Sequence, residues 1–226
     1  MPTLNLPESL LLLALNDETG ERFVSYVDYA LGGAAFAELV LRGVLVPSTE
    51  KEGRFVWGER TMLDDDFLER CRAIIEKTGV DKDPKKLITA IGKKTGVSQP
   101  LIDTLVTRGI LHARTKKMFF FFEKKIYPEA DPSAEREMKA RLESVMFGTG
   151  DVTPEDSVLV ALAKNMDLLK RNFDKDLLRQ HKDRIDAIAK GDKLASTATK
   201  AAIDAVQAAI FVTVILPAVI MPTIIN

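Results

Sequence analysis

Apolar residues recur every three or four positions along much of the chain, the spacing that places side chains on one face of a helix. Residues 22–42 follow this pattern, and Gly43 is placed where a helix often ends. A shorter apolar stretch, Pro7 to Leu15, precedes it. We therefore predict a short buried helix and then a long one. The pair Gly32–Gly33 within the long helix indicates close backbone packing or an approaching ligand.

Signals typical of helix starts mark most of the remaining elements. Acidic residues, or a polar residue followed by proline, satisfy the free N–H groups and the dipole of a helix N-terminus. They predict helices over 63–77, 84–94 and 98–108, with Ser98 as the cap of the last, and helices that open at Asp131–Pro132 and Thr153–Pro154. A charge-rich helix over 170–193 and an Ala-rich helix from Ala195 complete the series.

Two stretches read instead as β-hairpins, Val44–Trp57 and Ile110–Tyr127. In the second, we place Arg114–Lys117 at the turn and Met118–Phe122 along one strand. No repeat or flexible linker divides the sequence. The prediction is a mainly α-helical, compact single domain over residues 1–226 with two small β-hairpins, of which the second protrudes.

The last part of the chain is its most apolar region, because no charged residue follows Asp204. Residues 205–226 are long enough to span about 30 Å of hydrocarbon as a helix, although Pro217 and Pro222 interrupt them. Two interpretations of the tail 195–226 stay open. It is either a helix that ends near Leu216 and is buried in the core, or a segment that anchors in or dips into a membrane.

The composition excludes several broad classes of protein. With 226 residues, 46% hydrophobic and 29% charged, the chain is not collagen-like, disordered or disulfide-stapled. Its formal net charge of −1 disfavours a strongly basic nucleic-acid binder. The one cysteine, Cys71, has no partner for an internal disulfide, so the fold does not require an oxidising compartment.

Motifs for catalysis and metal binding are missing from the sequence. There is no Gly-x-Ser-x-Gly elbow, phosphate-binding loop or dinucleotide fingerprint. The two histidines, His112 and His181, lack the spacing of zinc ligands. Asp64–Asp66 fit the start of a helix better than a cation site. We therefore predict no enzymatic activity, no cofactor and no metal.

Positive charge is concentrated in two stretches. Residues 77–94 contain six lysines against two aspartates, namely Lys77, Lys82, Lys85, Lys86, Lys93 and Lys94 against Asp81 and Asp83. Residues 108–125 contain Arg108, Arg114, Lys116, Lys117, Lys124 and Lys125 against Glu123, around the Met118–Phe122 run. Such a basic, aromatic surface could meet anionic lipid, with phenyl rings in the interface and lysines near headgroups. The alternative is a solvated basic surface and a hairpin whose alternate phenylalanines are core.

Residues 84–126 also match a winged helix, with two helices followed by a two-stranded wing. A DNA-binding regulator is therefore one alternative function. The recognition helix of such a unit would be 98–108, which carries one basic and one acidic residue. A helix that binds in the major groove usually carries more positive charge. Nucleic acid is the less favoured partner.

A set of short motifs in a fixed order covers nearly the whole chain. They are Leu6–Leu15 with Asp17 and Gly20, Leu31–Gly43, Leu105–Leu111, Tyr127–Pro128 with Asp131–Pro132 and Glu135, Arg141–Leu142 with Val145 and Gly148, and Leu159–Leu162. With these motifs the chain resembles the Golgi phosphoprotein 3 family. The Asp131–Pro132 form is similar to that of the bacterial members.

The resemblance implies a mostly α-helical, non-enzymatic peripheral membrane protein, cytoplasmic and at the Golgi cytosolic face if the source is eukaryotic. Golgi members bind phosphatidylinositol 4-phosphate, self-associate through the aromatic hairpin and act as adaptors for membrane-protein clients. The expected partners are thus an anionic membrane lipid, a second copy and client proteins. The matching hairpin residues are Lys116, Lys117, Met118, Phe119, Phe120, Phe121 and Phe122.

At the family's headgroup-binding positions this chain departs from the pattern. Phe23 stands in place of a tryptophan, Gly32 in place of a basic residue, and Thr95 and Ser98 in place of two arginines. Lys93 and Lys94 are near in sequence and are candidate substitute cations, as point charges without a bidentate fork. The resemblance implies anionic-membrane association more directly than phosphoinositide specificity. A purely structural oligomerisation module is the third interpretation.

Overall fold

The computed structural model describes residues 4–16, 19–20, 27–59, 63–94, 97–118, 122–192 and 200–205. Within these ranges the fold is compact and mainly α-helical with two separate two-stranded antiparallel sheets, which confirms the predicted fold class. The elements are α1 (Leu6–Ala14), α2 (Val27–Leu41), β1 (Leu45–Pro47), β2 (Phe55–Trp57), α3 (Asp66–Thr78), α4 (Pro84–Lys94), α5 (Ser98–Thr107), β3 (Arg114–Met118), β4 (Phe122–Ile126), α6 (Ser133–Phe147), α7 (Pro154–Asn165), α8 (Leu169–Asn172), α9 (Lys175–Gln180) and α10 (Lys182–Lys190). Residues 200–205 are also helical.

Helices α1 and α2 form the centre of the core. All nine residues of α1 are buried, as expected for a helix that is apolar around its circumference. It packs against α2, α5, α6 and α7, while α2 packs also against α3, α4 and α7. Phe36 of α2 meets Phe55 of β2 edge to face, with ring centroids 5.0 Å apart, so the first hairpin closes one side of this core.

Glycines allow α2 and α4 to touch through their backbones. A Cβ atom on Gly32 would lie 2.8 Å from the carbonyl oxygen of Ile88, and one on Gly92 would lie 3.1 Å from that of Asp28. Both distances are too short for a side chain to fit without movement of the neighbouring backbone. Of the two explanations for a glycine at position 32, the structure therefore supports close backbone packing.

Helix starts follow the predicted capping chemistry in most places. Thr153 and Asp156 form a reciprocal capping box at α7, and α4 begins at Pro84 as expected. The expected cap of α5 is wrong. Ser98 is the first helical residue, and its N–H donates to the Asp28 carboxylate 3.0 Å away on α2. A residue distant in sequence thus caps α5, which local patterns do not show.

The predicted charge-rich helix over 170–193 is also wrong, because this stretch forms three short helices, α8, α9 and α10. Helices α8 and α9 are separated by Phe173 and Asp174. Phe173 is buried, and the Asp174 carboxylate accepts the N–H groups of Asp176 and Leu177. Burial of the ring turns the chain inward, and the aspartate then starts a new helix.

The second hairpin is confirmed, but its turn lies elsewhere. Strands β3 and β4 pair antiparallel from Arg114 opposite Ile126 to Met118 opposite Phe122. Residues Arg114–Lys117, expected at the turn, are therefore in strand β3. Charged residues can form this strand because a two-stranded ribbon does not need apolar residues where it has no core to face. Phe119–Phe121, between the strands, lie outside the described residues.

The C-terminal predictions are only partly covered. Ala202 and Ile203 are buried, so the chain still contacts the core there. Residues 193–199 and 206–226 lie outside the described residues, so both interpretations of the tail, and the single-domain organisation over 1–226, stay predictions. Within the described ranges, no helix has both the length and the apolarity needed to cross a membrane.

Asp186 of α10 forms two ion pairs, one with Lys164 that joins α10 to α7 and one with Lys182 within α10. Its carboxylate lies 2.7 Å from Nζ of Lys164 and 2.6 Å from Nζ of Lys182. Hydrogen bonds to these two lysines, first of all to Lys164, lower the pKa of Asp186 from 3.8 to about 2. A carboxyl group whose pKa is lower in the folded protein stabilises the fold above its unfolded pKa, and this contribution is lost as pH falls.

We expect Asp186→Asn to lower the thermal unfolding midpoint at pH 7. The difference from wild type should shrink below about pH 4 and vanish only below about pH 2, where the native carboxylate is protonated as well. Circular dichroism melts across this range measure it. Asp183→Asn, which removes the same charge from the same helix outside this bridge, is the control. An equal loss for both variants at all pH values would contradict the assignment.

Candidate functional site

Helix α4 separates apolar and basic residues onto opposite sides. Leu87, Ile88 and Ile91 are buried, whereas Lys85, Lys86 and Lys93 are exposed. The separation follows from the 3.6-residue period, since positions 86 and 93 differ by two turns. Lys77, in the last turn of α3, and Lys82, just before α4, are exposed too. Lys94 is the last residue of α4. We call Lys85, Lys86 and Lys93 the lysine face.

The headgroup positions implied by the resemblance are partly brought together. Gly32 packs on α4 next to Gly92, and Ser98 starts α5 close to the beginning of α2. The Asp28 carboxylate already occupies the hydrogen-bonding position at the α5 N-terminus, where a phosphate group would otherwise be favoured. Phe23 and Thr95 lie outside the described residues. The described residues therefore show a carboxylate at this point rather than an open anion site.

The second hairpin presents basic strands. Arg114, Lys116 and Lys125 are exposed, and Lys116 is the register partner of Lys124. Lys117, Met118 and Phe122 belong to the strand ends next to the turn. The phenylalanines at 119–121, on which the membrane prediction depends, lie outside the described residues. The described part of the hairpin thus supports the basic half of the predicted surface.

Arg108 does not belong to this basic surface, contrary to the sequence interpretation. Its guanidinium forms an ion pair with Glu8 of α1, whose side chain is only 4% exposed. Glu8 also accepts the N–H of Asn5 in the α1 capping box. Arg108 therefore balances a buried carboxylate and ties α5 to α1.

Sequence reasoning missed a large groove beside this ion pair. It has a volume of about 1140 Å³ and lies among the start of α1, the residues before α3, and helices α6 and α7. A second cavity of about 590 Å³ adjoins it and shares Asp64, Asp65 and Arg108. The lining comes from segments as far apart in sequence as Leu4 and Leu159, so no local motif points to it.

The groove is strongly acidic. Its described lining contains eight carboxylates, Glu8, Glu38, Asp64, Asp65, Asp131, Glu137, Glu155 and Asp156, and three arginines, Arg42, Arg108 and Arg141. Each arginine is paired to a buried carboxylate, as in the two hydrogen bonds of 2.8 and 2.7 Å from Arg141 to Asp156. The carboxylates thus outnumber the arginines by five. The side chains of Asp64, Asp131, Glu137 and Glu155 are exposed. We call this lining the acidic groove.

The acidic groove weakens the winged-helix alternative. The exposed residues of α5 include Gln99, Asp103, Thr104 and Thr107, and the adjoining cavity places the aspartates 64–66 beside that helix. A recognition helix needs positive charge at its borders to contact phosphates. The cavity beside the described α5 is lined by four aspartates against Arg70 and Arg108, so its net charge is negative.

No group of three His, Cys, Asp or Glu side chains in the described ranges is arranged to hold a metal ion. Cys71 is buried on α3, and burial raises the pKa of its thiol to about 12. A thiol of this kind stays protonated at neutral pH and is a poor nucleophile.

Comparison with known proteins gives the family. A sequence model of the family Golgi phosphoprotein 3 (GPP34) matches residues 6–209. The chain is also similar to a vacuolar protein sorting-associated protein 74 from Eremothecium gossypii, with 28% identity over 167 residues. That similarity covers 64% of this chain and 50% of the relative, so the chain spans about half the relative's length. The family match extends over most of the chain, and the protein belongs to the Golgi phosphoprotein 3 family.

Proposed function

We propose that the protein is a peripheral membrane protein that binds anionic lipid surfaces and acts, without enzymatic activity, as a self-associating adaptor for membrane-protein clients. The observation that carries this proposal is the lysine face of α4, which is exposed although the opposite side of the helix is core. Family membership supports it. The proposed location is the cytoplasmic surface of a membrane, the Golgi in a eukaryotic cell.

The charges of the lysine face contribute to reversible binding. A lysine close to an anionic membrane contributes about 1 kcal/mol, and this falls off within a Debye length of about 8 Å at physiological salt. The three residues of the lysine face would then supply about 3 kcal/mol, to which Lys77 and Lys82 could add. The phenylalanines of the second hairpin are proposed to enter the interface beside them.

We propose general recognition of anionic lipid, with phosphatidylinositol 4-phosphate as one such lipid. The argument is the Asp28 carboxylate, which accepts the N–H of Ser98 and so occupies the positive N-terminal end of α5. Lys93 and the adjoining Lys94 lack the planar fork of arginine and bind phosphate as point charges. Binding should therefore follow the surface charge of the vesicle more than the identity of one headgroup.

Vesicle co-sedimentation tests the proposal. Wild type should bind vesicles of phosphatidylcholine with phosphatidylserine, or with phosphatidylinositol 4-phosphate at equal charge, and should not bind phosphatidylcholine alone. The variant K85E/K86E/K93E should lose at least about 100-fold in affinity, since about 3 kcal/mol of attraction is lost and the new charges are repelled. The control K175E/K190E/K200E makes the same change in net charge at other exposed lysines.

An equal loss in both triple variants would show that only net charge matters. Unchanged binding by K85E/K86E/K93E would remove the lysine face as a contact. If wild type binds none of the vesicles, membrane binding itself is refuted.

A further inference from the structure

We propose that the lysine face holds a phosphate group, with the Thr89 hydroxyl as its hydrogen-bond donor. The inference rests on the proposed lipid binding and names the place on α4 where a phosphate would lie. The phosphate diester of an anionic phospholipid and free inorganic phosphate offer the same kind of oxygen, and the experiment below distinguishes the two. The place is on the outer side of α4, whereas Gly32 packs against the inner side.

Helix geometry puts Thr89 among the three lysines. Seen along the axis of α4 at about 100° per residue, Thr89 lies between Lys85 and Lys93, roughly 40° from each. Lys86 lies roughly 20° beyond Lys93. Residues three or four positions apart are neighbours on a helix surface, so all three lysines adjoin Thr89. Thr89 is half-buried at this position.

The Thr89 hydroxyl is free to bind a ligand. A threonine within a helix often donates its hydroxyl to the carbonyl four residues earlier. Thr78, Thr104 and Thr107 do so, at 2.7, 3.0 and 2.9 Å. Among the residues that the structure describes, Thr89 has no such partner for its hydroxyl. The donor therefore remains for an oxygen from outside the chain.

The positive charge around Thr89 has no counter-ion within the described part of the chain. On other helices Lys139 and Lys182 each pair with a carboxylate 2.6 Å away, whereas none of the three residues of the lysine face does so in the described ranges. Asp83, the acidic residue nearest in sequence, is held by Arg54 at 3.1 Å and accepts the N–H of Lys85 at 2.9 Å. The lysine face thus keeps its full charge for an anion.

A phosphate group suits this arrangement of donors. Its several oxygens can accept the hydroxyl and meet ammonium groups from two successive turns of the helix, in charge-assisted contacts. Lysine binds phosphate as a point charge without a fixed geometry, so diesters and monoesters both fit. The site accordingly recognises the phosphate that anionic phospholipids share and does not select one headgroup.

Removal of the hydroxyl tests the proposal on the full chain. Thr89→Val keeps the shape of the side chain and should weaken binding to phosphatidylserine vesicles about fivefold, the effect of one hydrogen bond. Thr89→Ser keeps the hydroxyl and should bind as wild type does. Thr104→Val is the matched control, because its hydroxyl donates to Pro100 within α5 and its loss should leave vesicle binding unchanged.

Inorganic phosphate distinguishes the two sources of the ligand. Titration at constant ionic strength should shift the backbone NMR signals of residues 85–93 in wild type and not in Thr89→Val. A vesicle effect without this shift identifies the lipid as the ligand. A shift without any vesicle binding identifies free phosphate, and it refutes the membrane proposal alone.

The proposal is overturned if Thr89→Val binds both vesicles and phosphate as wild type does. A loss in Thr89→Ser equal to that in Thr89→Val would overturn it too, since the hydroxyl would then not be the donor. The same holds for an equal loss in Thr104→Val. If wild type binds neither vesicles nor phosphate, this inference and the membrane proposal both fail.

Discussion

Replacing Gly32 with arginine is expected to destabilise the protein by about 4 kcal/mol, the range of a severe packing defect. The first side-chain atom alone would lie 2.8 Å from the carbonyl oxygen of Ile88, and the rest would have to enter the contact between α2 and α4. Because the resemblance places a basic residue here, Gly32→Arg is the obvious attempt to restore a headgroup cation. We expect it to disrupt packing instead and to lower the unfolding midpoint by about 8–16 °C.

Two further variants make this measurement specific. Gly32→Ala would gain about 1 kcal/mol from helix propensity alone, so a net loss would report the steric contact with α4. Lys86→Arg adds a guanidinium to an exposed position of α4 and should stay within about 0.5 kcal/mol of wild type. If the Gly32→Arg protein has the same unfolding midpoint as wild type, then α2 and α4 can move apart without loss of stability.

The second large effect is expected at Arg108. Arg108→Ala leaves the buried Glu8 carboxylate without its counter-ion, which should cost about 3 kcal/mol and lower the midpoint by about 6–12 °C. Arg114→Ala removes an exposed arginine of the same basic stretch and should change the midpoint little. Thermal melts of both variants compare a structural ion pair with a surface charge.

A double variant separates the pair from general packing. Glu8→Gln can keep the capping-box hydrogen bond of α1 while removing the charge. Glu8→Gln with Arg108→Ala should therefore be more stable than Arg108→Ala alone, since no buried charge is left unpaired. If the two substitutions are additive, Glu8 and Arg108 are not coupled in the folded protein.

Local sequence chemistry predicted the parts of the fold that depend on local interactions. The starts of α4 and α7 follow from Pro84 and from the Thr153–Asp156 pair, whose partners are three residues apart or fewer. The expected cap of α5 was wrong because Asp28, 70 residues away in sequence, supplies it. The helix over 170–193 failed because burial of Phe173 outweighs helix propensity there.

The same distinction between local and long-range interactions applies to the candidate site. Exposure of Lys85, Lys86 and Lys93 follows from the period of a single helix and could be predicted from the sequence. The acidic groove could not, since its carboxylates are individually ordinary helix-start or surface residues that only the tertiary fold brings together. Arg108 was misassigned for the same reason, because its partner Glu8 is 100 residues away.

The burial of α1 at the centre of the core has a consequence for biosynthesis. The Leu10–Leu13 stretch packs against α7, which ends at Asn165, about 150 residues later in translation. At about 5–20 residues per second, some 8–30 seconds pass before the covering helix exists. During that interval one side of this apolar helix lacks its cover on the nascent chain, so the yield of folded protein should depend on chaperone capacity more than its equilibrium stability suggests.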